Sequence, residues 1–188
     1  MGCDWRRPLN GRTEDPARVS TKSTSRSPPQ QEATMHDDSV ADDTRQNIAD
    51  LRLASAGDAQ AQFRLSRSAR ALVVAGEADE IVASIEGLTY ARLAAAQGVP
   101  DAIMLAADHC SHLAKVYSDC GEDECAADWA GQAIGMLEIA TDLLPASNAA
   151  ALMQTLNTAA DMASPEIMAQ AKVYRSIFAP VFGAAAFA

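Results

Sequence analysis

An all-α body is the fold class that this sequence predicts, and three observations carry the prediction. Alanine makes up roughly a fifth of the 188 residues, and no residue has a higher intrinsic helix propensity, while its use in sheets is poor. Aromatic residues reach only 5% although apolar residues total 48%, a balance that argues against a sandwich or barrel. From Thr44 onward, apolar residues recur at helical spacing through long windows free of proline. The length suits one domain, or one domain with a tail.

Residues 1–42 differ in kind from the rest of the chain, being rich in Ser, Thr, Pro, Arg and Asp with almost no apolar periodicity. The stretch from Ser20 to Gln31 cannot bury enough surface to offset its ordering entropy, so a disordered tail is expected. Charge divides at the same place: residues 1–34 carry a net +2 and the remainder −12, within a total of −10. Arg26 to Pro29 reads as part of a solvated tail. Met1-Gly2-Cys3 suggests dual acylation, but Arg6 stands where the myristoylation pattern wants Ser or Thr. Met35, before an acidic lead-in, is an alternative translational start. Without the apolar core of a secretory signal, the expected compartment is the cytoplasm. No run approaches the ~18 apolar residues of a transmembrane helix. The acidic balance argues against a nucleic-acid binder, and high arginine with heavy alanine hints at a GC-rich bacterial genome.

Helices are expected at about 44–55, 58–75, 78–97, 100–118, 122–144, 147–162 and 165–178. In the first, Ile48, Leu51 and Ala54 or Ala56 are read as inward. Gly57 and Gly76 follow helix ends, and Gly98 with Pro100 gives a stop and then a first-turn proline. After Gly121, the acids Glu122, Asp123 and Glu124 suit the positive end of a helix dipole. Ser164-Pro165-Glu166 reads as an N-cap, a first-position proline and an acidic first turn. The inward stripes are Ile81, Ile85, Leu88 and Ala95 in the third helix, and Trp129, Ala133, Met136, Ala140 and Leu143 in the fifth. The 100–118 segment is apolar nearly all round and is expected to pack on two sides. Gly87, Gly131 and Gly135 each cost ~1 kcal/mol against alanine, which close helix–helix approach would offset.

Self-similarity appears at a period of about 41 residues. Gly57-Asp58-Ala59-Gln60-Ala61-Gln62-Phe63-Arg64-Leu65 aligns with Gly98-Val99-Pro100-Asp101-Ala102-Ile103-Met104-Leu105-Ala106. Each copy opens a helix pair, and a pair of this size must stack on neighbours to share a core. Tyr90, Arg92, Ala94, Ala95, Gln97, Gly98, Asp101 and Ala102 fall on the pattern aromatic, basic, Ala-Ala, Gln-Gly, Asp-Ala. At these residues the chain resembles the Sel-like repeats, relatives of the tetratricopeptide repeat. The resemblance covers about 57–107 well and 108–144 loosely, and Gly57, Ala61, Gln62, Phe63 and Leu65 match the opening of another unit. Ser66 and Ala107 depart from the family's glycine, as Ala69 and Cys110 do from its preferred aromatic. The resemblance implies antiparallel helix pairs stacked as a short tetratricopeptide-like right-handed solenoid over 43–178, with an adaptor's role and no catalysis.

Arg64, Arg67 and Arg70 form a basic stripe in an acidic body. In such repeats, basic residues on first helices line a groove and can clamp a partner's carboxylates through bidentate guanidinium geometry. The competing reading is a solvated face balanced by Glu77, Asp79 and Glu80. With Tyr90 and Arg92 these arginines are the candidate binding residues, for another protein or peptide. His109, His112, Cys120 and Cys125 are the ligand types zinc accepts, yet their spacing is not that of a usual knuckle. Cys110 lies on the packing stripe with Ala106, Leu113 and Tyr117, so structural cysteine is favoured and no cofactor is expected. A Cys120–Cys125 disulfide needs an oxidising compartment. Cys–His nucleophilic catalysis lacks an oxyanion site, because Glu122 to Glu124 would repel an anion. The apolar segment 179–188 either docks on the body or joins a second copy, making a homo-oligomer.

Overall fold

The computed structural model describes residues 45–143 and 146–186. The expected tail, Met35 and the last two residues lie outside them. Among the described residues there are seven helices and no strand: α1 (45–55), α2 (Ala59–Ala75), α3 (Glu80–Ala96), α4 (Asp101–Asp119), α5 (Asp123–Leu143), α6 (Ala146–Met162) and α7 (Pro165–Ala186). No helix among them is long and apolar enough to cross a membrane.

Local chemistry accounts for the boundaries. The Asp58 carboxylate accepts from the Ala61 N–H at 2.6 Å to start α2, and that of Asp79 accepts from Ile81 and Val82 N–H groups to start α3. Ser164 Oγ accepts from the Ile167 N–H at 3.3 Å, with Pro165 and Glu166 in the first turn of α7. Pro100 occupies the N-cap of α4 rather than its first helical position. The α1–α2 and α3–α4 turns are copies: Gly57 and Gly98 have φ of 93° and 85°, and their N–H groups donate to Ala54 O and Ala95 O at 3.0 Å. A side chain at either glycine would be strained.

Consecutive helices from α2 to α5 pack on each other; α5 then packs extensively on α7 and less so on α6. α4 packs on both α3 and α5, but it is not apolar all round as expected: Asp101, Asp108, Ser111, Lys115 and Asp119 form an exposed polar stripe along it. The main core joins Leu88, Ile103, Leu113, Met136, Leu137, Ile139 and Phe182 across many buried alanines. Burial repeats with the sequence period: Ala61 and Ala102, Gln62 and Ile103, Leu65 and Ala106, Ser66 and Ala107 are all buried pairs.

Three mid-helix glycines mark the closest crossings. A Cβ on Gly87 would overlap the His109 ring, one on Gly131 would stand 2.8 Å from Gln170 Cβ, and one on Gly135 2.8 Å from Ala171 O. The α3–α4 and α5–α7 contacts therefore depend on hydrogen at these positions.

Some faces differ from the expected ones. Ile85 is 42% exposed, and Ile48 and Leu51 are also exposed, whereas Ala54, Leu88 and Ala95 are buried. α3 carries apolar residues around its whole circumference, so periodicity alone does not select its inner face. The helix expected to end at Phe178 continues through Pro180 to Ala186. Tyr174, Phe178 and Phe182 stack at i, i+4 and i+8, with centroid separations of 6.4 and 5.6 Å. Phe182 is only 2% exposed, and its burial with this stacking offsets the ~3 kcal/mol cost of an interior proline. The segment from 179 is thus part of α7 as far as Ala186.

Candidate functional site

The three arginines of α2 have three different surroundings. Arg64 reaches back to α1, its Nη2 2.7 Å from Asp50 Oδ1 and its Nε 3.0 Å from Oδ2. Asp50 is buried, and the hydrogen-bonding guanidinium holds its carboxyl below the usual carboxylate range. Arg70 reaches forward to α4, with Nε 2.5 Å from Asp108 Oδ2. Arg67, between them in sequence, is exposed and has no ion-pair partner among the described residues. The acids that answer the stripe are thus Asp50 and Asp108, not Glu77, Asp79 and Glu80. Asp79 caps α3, and Glu80 lies 3.6 Å from His112 Nε2.

Arg67 and Arg70 border an open cleft of about 430 Å³, whose remaining lining is Ala71, Val74, Ala75 and Leu105. Val74 is 73% exposed. This arrangement places a guanidinium with free donors beside an apolar floor shared by α2 and α4. It can pair a carboxylate bidentately while an adjacent apolar side chain leaves water.

Tyr90 and Arg92 are not part of that cleft lining. Tyr90 packs on Ala54, Ala61 and Leu65 of α1 and α2, while Gln97 Nε2 donates to Gln62 Oε1 at 2.7 Å. Arg92 ties three helices together: Nη2 donates to Gln132 Oε1 at 2.5 Å, and the guanidinium lies 4.8 Å from the Phe178 ring centroid. Gln132 Nε2 donates in turn to Asp128 Oδ2 at 3.1 Å, and Tyr174 Oη donates to Asp128 Oδ1 at 2.7 Å. Burial, then the Asp128 carboxylate, pushes the Tyr174 phenol up to about 12. Sequence reasoning missed Asp128, Gln132 and Tyr174, because only the α5–α7 crossing brings them together.

Comparison with family models, with characterised proteins and with solved structures gives no match.

His109, Cys110 and Cys120 have three different surroundings. His109 fills the notch at Gly87, fully buried, with Nε2 3.2 Å from Ser66 Oγ and 3.3 Å from Ser66 O. Burial lowers its pKa, against the opposing pull of the Ser66 carbonyl. Cys110 is fully buried on the core stripe, and burial pushes its thiol up to about 12. Cys120 is a free, exposed thiol at the α4–α5 turn. It is therefore not paired with Cys125. Among the described residues no group of three or more His, Cys, Asp or Glu side chains is placed to hold a metal ion.

Proposed function

We propose that this protein is a non-enzymatic interaction module that docks a partner protein segment in the α2–α4 cleft. The segment would present a carboxylate to Arg67 and an apolar side chain to Val74 and Leu105. The observation that carries the reading is the Arg67 guanidinium, which has no ion-pair partner among the described residues and borders an exposed apolar floor. Two further observations support an adaptor of the Sel-like or tetratricopeptide-like kind. Burial repeats every 41 residues, as do the turns at Gly57 and Gly98. The cleft lies on α2 and α4, the first helices of the two matching pairs. Stacking these pairs as a short right-handed solenoid belongs to the same proposal, as does work in the cytoplasm on a protein rather than a nucleic-acid partner.

The test places a photo-crosslinking amino acid at Val74 in the full chain and compares it with an Arg67→Glu background in native cells. A partner captured by the parent and lost from a folded Arg67→Glu variant is the expected result. Equal capture by both overturns the arginine contact.

A second reading, homo-oligomerisation, is favoured by one feature of α7. Val173, Ile177 and Val181 are exposed at i, i+4 and i+8, on the flank of α7 about 100° round from the aromatic row. An Ile177→Asp variant that runs at half the parent's mass in light scattering would support it.

A further inference from the structure

A second cavity, independent of the α2–α4 cleft and open to solvent on one side, lies where α4, α5, α6 and the start of α7 meet. It has a volume of about 240 Å³, and Ser111, Ala130, Ile134, Ala159, Met162 and Ile167 are among its lining residues. Its hollowness follows from the sequence, since alanines on α5 and α6 stand where longer side chains would close the gap. Ser111 is the one polar residue in the lining, and its hydroxyl proton is already donated to Ala107 O at 2.9 Å. The hydroxyl oxygen keeps acceptor capacity. No charged side chain lines the space, so an ionised group held against the lining would lose hydration without compensation. Water against the lining meets one polar side chain, so its displacement from these apolar walls by an apolar ligand is favourable. An apolar cavity of ~150 Å³ holds benzene in another protein, so this one has room for two fused rings. Met162, 78% exposed at the rim, has the flexible thioether that adapts to an aromatic face.

We propose that this cavity binds a small uncharged aromatic molecule of about indole size, with at most one hydrogen-bond donor directed at Ser111 Oγ. Indole is the probe, titrated into the full chain carrying ¹³C-labelled alanine and methionine methyl groups. Saturable shifts should be confined to the methyls lining the cavity, Ala130, Ala159 and Met162 among them, and the Tm should rise with indole concentration. Indole-3-acetate, which keeps the rings but adds a carboxylate, should bind at least tenfold more weakly. Ala159→Leu, which fills the space, should also lose at least tenfold in affinity; if that variant does not fold, the indole to indole-3-acetate ratio on the parent chain decides. No saturation up to the solubility of indole, shifts scattered over the surface, or equal affinity for the two compounds each overturns the proposal.

Discussion

His109 occupies space that exists only because residue 87 has no side chain, and it is held there as a neutral ring. Asp108, Arg70 and His112 are the charged or titratable groups around it. Its folded-state pKa lies below the ordinary 6.5, so on acidification the unfolded chain takes up the proton first. The stability it contributes is complete above about pH 6.5 and is lost as pH falls towards the folded pKa. Urea unfolding at pH 8 and pH 5.5 should show a larger loss for the parent than for His109→Gln. Thiol chemistry divides in the same way. Cys120 should be alkylated in the native protein, and Cys110 only once the chain is unfolded, as peptide mapping after iodoacetamide treatment would show. The place of Cys110 was readable from its stripe. The burial of His109 was not, because the notch comes from α3 and the hydrogen-bond partner from α2.

At the scale of the helices, most boundaries were readable because local chemistry sets them: Ser164 caps and glycines end, and the structure adds Asp58 and Asp79 as caps. Gly135 tests the opposite pull of propensity and packing. Alanine there would gain ~1 kcal/mol of helix propensity, but its Cβ would meet the backbone at Ala171 O and, at 3.1 Å, Arg175 N. Neither can move without shifting α7. Gly135→Ala should therefore destabilise the fold by about 1–3 kcal/mol in chemical denaturation, and a stabilising outcome would contradict the close crossing. The end of α7 was not readable, since Pro180 reads locally as a stop. Its continuation rests on tertiary contacts of Phe178 and Phe182 with α3 and the core, which no local window contains. For α3 and α1 the failure was different. Apolar residues such as Ile85, Ile48 and Leu51 fit more than one inward face, and only the neighbours choose.

Across the helical body, α7 closes the core through Phe182 and through the Arg92–Phe178 and Tyr174–Asp128 contacts. Phe182→Ala should cost about 3–5 kcal/mol, measured as a fall in denaturation midpoint. Removing residues 179–188 should lower the Tm for the same reason, whatever it does to oligomer size. The candidate site was readable only in part. The sequence placed Arg64, Arg67 and Arg70 on one helix, but not the acids 14 and 38 positions away that engage two of them. The alanines, which make up about half of the buried apolar residues among those described, also shape the response to temperature. Each hides little hydrocarbon, so unfolding wets less apolar area per residue than a leucine-rich core would. The heat-capacity increment should then fall below the usual ~12–15 cal/mol/K per residue. Calorimetry should trace a broad, shallow curve of stability against temperature, with cold unfolding displaced far below freezing.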